Sequence, residues 1–100
     1  MSSYADLKSL RCFAAVADAG NVTRAAETLH MTQPALSLRL QQLSTQTGLK
    51  LFHRTTRGLD LTPDGMTLRV KVRGVLDALE DLNRTVRHIC LLYTSDAADE

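Results

Sequence analysis

No stretch of this chain approaches the roughly 20 consecutive apolar residues that span a bilayer. Its opening, MSSYADLKS, also lacks the basic-then-apolar order of a secretion signal. These two absences place the chain in the cytoplasm as an expectation. Cysteine is scarce: Cys12 and Cys90 stand far apart with no partner spacing, which excludes a disulfide framework and gives no zinc site. His30, His53 and His88 are scattered over a turn, a hairpin and a long helix, so they form neither a metal-ligand spacing nor a nucleophile and base pair. A glycine-rich phosphate loop is missing as well. Nothing supports an enzyme, and no cofactor or metal is expected.

The most telling absence is of acid. Between Thr28 and Leu59 there is no Asp or Glu, while Arg39, Lys50, Arg54 and Arg57 lie in that window and Arg24 just before it. The whole chain carries a formal charge of only +1, so this local positive field is what a polyanion would feel. Within the same window residues 23–43, TRAAETLHMTQPALSLRLQQL, have the pattern of two short helices around a tight turn. Such a helix-turn-helix projects a helix N-terminus outward, where free N–H groups and small polar side chains can enter a DNA major groove.

A hundred residues at 44% apolar and 23% charged allow one small globular core. A first helix is predicted from about Asp6, its N-cap, to Ala19, stopped by Gly20, with Leu10, Phe13, Ala14 and Ala17 as the buried stripe. A second starts near Asn21 or Thr23 and ends near Leu29; His30 takes the turn, where a left-handed conformation suits histidine better than most residues. The third begins after Thr32, with Pro34 in a first turn that needs no amide donor, and ends at Gly48. Leu36, Leu40 and Leu43 face its core, whereas Pro34, Leu38 and Gln41, flanked by Ala35, Ser37 and Gln42, face outward. Residues 49–61, LKLFHRTTRGLDL, read as a short two-stranded hairpin, a wing. Thr62 and Pro63 then open a long fourth helix.

In that helix Leu68, Val72, Val75, Leu79, Leu82, Val86 and Ile89 are spaced 4, 3, 4, 3, 4, 3, an a/d heptad seam bordered by charged positions. A 3.5-residue repeat over three heptads favours supercoiling against another helix, most simply the same helix of a second copy. The last eleven residues, CLLYTSDAADE, do not continue this pattern and resemble the translated sequence of a transposase-based sequencing-library adapter. Residues 90–100 are therefore expected to be a non-native tail. Without them the chain has 12 basic and 8 acidic side chains, a formal +4. The resulting division is a winged helix-turn-helix at residues 4–62, a dimerisation linker helix at 63–89, and the tail.

Taken together, residues 7–37 (LKSLRCFAAVADAGNVTRAAETLHMTQPALS), residues 49–65 (LKLFHRTTRGLDLTPDG) and the heptad helix resemble the N-terminal DNA-binding domain and linker helix of LysR-type transcriptional regulators. The resemblance implies a mainly α winged helix-turn-helix with a long coiled-coil helix, double-stranded DNA and a homodimer as partners, and no membrane. Tetramers would belong to the full-length protein, and a small-molecule co-inducer only to a C-terminal effector domain for which this chain has no room. The family's recognition helix starts at the positions of Thr32, Gln33, Pro34, Ala35 and Ser37. Gln33 can pair with an adenine edge, Ser37 with phosphate or base, and Pro34 and Ala35 with a thymine methyl. Arg57, and Arg54 if it does not instead bridge wing to core, match backbone and minor-groove contacts. Thr23 and Arg24 suit phosphates at a helix start, and Arg39 projects to one flank. Leu38 departs from the family's usual polar or basic residue and is expected to bear on operator choice; Ser44 stands where an acid is common. Two other classes remain open: an inhibitory module acting through the heptad helix alone, and a nucleoid-type binder indifferent to sequence.

Overall fold

The computed structural model describes the backbone of residues 6–99 and the side chains of residues 6–92. The order of elements is α1 (Leu7–Ala19), α2 (Val22–Leu29), α3 (Gln33–Thr47), β1 (Phe52–Thr55), β2 (Gly58–Leu61) and α4 (Pro63–Asp99). Each boundary has a local cause. Asp6 caps α1 by accepting from the Ser9 amide at 2.8 Å, Asn21 caps α2 through Arg24 N–H at 3.0 Å, and Thr32 caps α3 through Ala35 N–H at 3.2 Å. Gly20 and Gly48 end α1 and α3 in the left-handed region, and His30 does the same for α2 at φ 57°. Thr62 starts α4 by accepting from Gly65 N–H at 3.0 Å.

β1 and β2 pair antiparallel with Phe52 opposite Leu61 and Thr55 opposite Gly58, leaving Thr56 and Arg57 as a two-residue tip. Gly58 has φ 138°, outside the range side-chain-bearing residues adopt readily, and a Cβ there would collide with the Gly20 carbonyl. That close approach lets Leu59 N–H donate to Gly20 O at 3.1 Å, fastening the wing to the end of α1.

The core has two connected parts. Cys12, Val16, Ala25, Ala26 and Leu36 bury one another where α1, α2 and α3 meet, and the small Ala25–Ala26 pair permits that close packing. Phe13, Leu43, Leu51 and Val72 form the second part, with Leu40 and Phe52 packed against both. Phe13 and Phe52 stack at a tilt, ring centroids 5.4 Å apart. The stripe of α1 is rotated from its expected phase: Ser9, Cys12, Phe13 and Val16 are buried, while Leu10, Ala14 and Ala17 are only half-buried. Cys12 is the small buried hydrophobe its type suggests, whereas the burial of polar Ser9 is something apolarity alone does not reveal.

Burial also raises the Cys12 thiol above its ordinary range, and its Sγ–H donates to Met31 Sδ at 3.7 Å. Cys90 is exposed. A disulfide-exchange reagent added to the reduced protein is therefore expected to titrate one thiol at once and the second only in denaturant; two fast thiols would contradict this burial.

The seven-residue seam of α4 divides in two. Val72 is 2% exposed, and Leu68 and Leu76 pack with it against the same domain's core. Leu68 and Val72 are thus corrected from dimerisation residues to core residues. The physical reason is the 3.6-residue turn: Leu68, Val72 and Leu76 stay on one side of a helix lying along α1. Val75, Leu82, Val86 and Ile89 are 45%, 56%, 47% and 43% exposed, and Leu79 is half-buried. The helix runs on through Asp99 rather than stopping at residue 89.

Candidate nucleic-acid interface

The N-terminal ends of α2 and α3 and the wing enclose one groove. It is lined by Asn21, Val22 and Thr23 from the start of α2, Gln33 and Ser37 from α3, and residues 54–59 from the wing. The turn that brings the two helix starts together is short because His30 adopts its left-handed conformation and Met31 N–H returns to Ala26 O at 2.9 Å. Gln33 and Ser37 are one helical turn apart and share a face.

Several polar side chains along this groove are already committed to holding the backbone. Asn21 and Thr32 are caps. Thr55 Oγ1 accepts from Arg57 N–H at 3.3 Å and donates to Gly58 O at 3.5 Å, which shapes the wing tip. Thr23 Oγ1 donates to Gln33 Oε1 at 3.3 Å, so the two helix starts are also joined through side chains. Among the described residues no carboxylate lies within ion-pair distance of Arg24, Arg54 or Arg57.

The expected contact residues are therefore only partly gathered. Thr23, Gln33, Ser37, Arg54 and Arg57 meet in the groove, with Arg57 at the tip. Pro34 and Ala35 are exposed on the first turn of α3, and Thr32 is spent as its cap. Arg24 is exposed on α2 outside the groove lining. Leu38, 55% exposed, sits one turn farther along α3 in a shallow depression with Gln41, Gln42, Thr45 and Gln46. Arg39 points elsewhere: its guanidinium is 3.8 Å from Asp6 at the start of α1. Hydrogen bonding from Ser9, joined by the Arg39 charge, lowers the Asp6 carboxyl below its ordinary value. Asn21, Val22, Thr55, Thr56, Gly58 and Leu59 also line the groove without having been expected there; their places at the start of the second helix and in the wing were the sequence signals for them.

On the opposite side, Arg69 and Arg73 of α4 reach Asp18 of α1 at 2.6 and 3.4 Å, fixing the direction in which α4 leaves the body. These pairs are half-exposed and contribute little stability individually. No helix among the described residues is long and apolar enough to cross a membrane.

Three helices, a hairpin fastened to the end of the first, and a long following helix define a winged helix-turn-helix protein. The chain belongs to the lysR family of bacterial regulatory helix-turn-helix proteins, whose model matches residues 7–66. It is 40% identical over 84 residues to an uncharacterized HTH-type transcriptional regulator of Azotobacter vinelandii encoded in the ibpB-leuC intergenic region, covering 84% of this chain and 58% of that one. It is 39% identical over 84 residues to the HTH-type transcriptional activator AllS of Klebsiella pneumoniae, of which it spans 31%. Among solved structures, the BenM DNA-binding domain in complex with catB site 1 DNA aligns with a TM-score of 0.81 at 29% identity, covering 86% of this chain and 97% of that one. The CbnR DNA-binding domain–DNA complex aligns at 0.77 and 31% identity, covering 86% and 99%. The chain thus spans about a third to three-fifths of those two curated relatives.

Proposed function

We propose that this chain is the DNA-reading and dimerising part of a LysR-type transcriptional regulator, acting on duplex DNA as a homodimer and not as an enzyme. The observation that carries this reading is the groove itself: Gln33, Ser37 and Thr23 face Arg54 and Arg57 with no acidic residue among its lining. The first turn of α3 enters a major groove, with Gln33 and Ser37 toward base edges or phosphates and Pro34 and Ala35 toward thymine methyls. Arg57 reaches the backbone and adjacent minor groove, where narrow A·T-rich segments draw arginine. Arg24 and Arg54 add phosphate contacts, and Leu38 contributes to operator choice from the next turn.

The resemblance of BenM and CbnR domains, both solved on DNA, supports the same reading. A two-fold dimer formed through the exposed part of α4 presents two recognition helices, so its site is partly palindromic. Activity toward a co-inducer belongs to whatever domain the longer relatives carry beyond the matched region. We also assign residues 90–100 to a non-native tail on the strength of their adapter-like sequence; an in-frame stop codon directly after Glu100 at the intact locus would overturn that assignment.

Selection from a pool of random duplexes, followed by binding titrations on the enriched and scrambled sequences, tests the function. Enrichment of one motif supports sequence reading, whereas equal, purely salt-dependent binding to all duplexes identifies a non-specific binder. On the enriched duplex, Arg57→Ala is expected to weaken binding about tenfold by removing a charged hydrogen bond and to flatten the log–log salt dependence by about one ion. Gln33→Ala should instead relax discrimination at one base pair by about 1–3 kcal/mol. Unaltered relative affinities over all single-base variants would remove Gln33 from the reading face.

A further inference from the structure

Among the hydrogen bonds made by side chains that line the groove, one is neither a cap nor a turn brace. Asn21 holds the Arg24 amide, and Thr55 braces the wing tip, while Thr32 beside the groove holds the Ala35 amide. The Thr23 hydroxyl alone is directed at another groove-lining side chain, donating to Gln33 Oε1 at 3.3 Å across the turn between α2 and α3. An amide held through its oxygen presents its nitrogen: Oε1 has one lone pair engaged, and the two Nε2–H donors are left for an external acceptor. In a major groove every purine offers N7 as an acceptor, on guanine beside O6 and on adenine beside N6.

We propose that Thr23 is a positioning residue for base reading: it holds Gln33 Oε1 so that Nε2–H donates to the N7 of a purine. The proposal rests on the DNA-reading function above and gives it an orientation. Thr23 then touches Gln33 in the bound state, not a phosphate. Its threonine methyl is unnecessary, so serine substitutes for it and valine does not. Because Gln33 is the first residue of α3, its side chain has no preceding helical turn to pack on, and the hydroxyl from α2 removes freedom that binding would otherwise have to remove.

The test uses the full chain, the duplex enriched from a random pool, and copies of that duplex with 7-deazapurine placed at each purine in turn. Wild-type protein should lose about fivefold in affinity at one purine, the worth of one net hydrogen bond. Thr23→Val should bind the unmodified duplex about fivefold more weakly and show no further loss at that purine, while Thr23→Ser keeps both the affinity and the 7-deaza sensitivity. In a Gln33→Ala background Thr23→Val should change nothing. Thr23 is exposed, so thermal melting of all four variants should match wild type. A Thr23→Val loss of the same size with and without Gln33 would overturn the proposal in favour of a direct phosphate contact, and so would a wild-type protein indifferent to every 7-deaza substitution. Failure of the pool to yield any preferred duplex would instead overturn the DNA-reading function itself.

Discussion

Aspartate at both Leu82 and Val86 is expected to weaken self-association roughly a thousandfold while leaving the melting of the winged head unchanged. The two side chains are 56% and 47% exposed on α4 and belong to neither part of the hydrophobic core. Burying the remaining half of each would contribute about 1 kcal/mol per side chain. A symmetric interface counts every position twice, so the pair contributes about 4 kcal/mol, or three decades in the dimer constant. Carboxylates in the seam would oppose association further, since each must be desolvated or meet its own copy across the two-fold axis. Sedimentation equilibrium reads the constant directly. Because neither residue belongs to the head's core, a large fall in melting temperature would show that this segment packs on its own domain. Val72→Asp makes the contrast: it strikes a core position and should unfold the head.

Gly58→Val is expected to reduce affinity for an enriched duplex about a hundredfold, ten times more than loss of Arg57 alone. No side-chain-bearing residue fits φ 138° without strain of about 1–3 kcal/mol, and its Cβ would drive into the Gly20 carbonyl. The least costly relief is for β1 and β2 to swing away from α1, breaking the hydrogen bond from Leu59 N–H to Gly20 O. Arg54 and Arg57 move with the hairpin, so two charged contacts, each about 1.5 kcal/mol, are lost together. Binding titrations with Gly58→Val, Arg57→Ala and the double variant check this. The double variant should bind no more weakly than Gly58→Val, because the displaced arginine no longer contributes; additive losses would mean that the wing stays in place.

The helix boundaries were legible because each depends on one or two local residues. Asp6 and Thr32 as caps, Gly20 and Gly48 as stops, and His30 in the left-handed region all act over one turn of chain. Leu36 and Leu43 were legible as core from their spacing, and Arg57 as the wing tip from the glycine beside it. What the pattern did not contain was the depth at which elements pack. The burial of Ser9 depends on how closely its neighbours approach α1, whereas that of Cys12 was legible from its being a small apolar side chain. The heptad seam is a real periodicity, yet its first two members are taken by the chain's own core before any partner can use them. Leu76, off the seam but in line with Leu68 and Val72, belongs to that core instead. Contacts between distant residues were equally silent: Gly20 with Gly58, Asp18 with Arg69, Asp6 with Arg39, and Thr23 with Gln33 join positions whose neighbourhood only the fold creates. The acid-free window signalled that the groove would be lined without carboxylates, and the fold decided which of the nearby cations line it.

The central claim, a dimer that reads DNA sequence through α3 and the wing, is tested most directly by native mass spectrometry of the chain on the duplex enriched from a random pool. Two chains on one duplex carrying an inverted repeat, reduced to one chain when either half-site is scrambled, is the predicted result. A single chain on the intact site, or the same occupancy on any duplex of equal length, would contradict it.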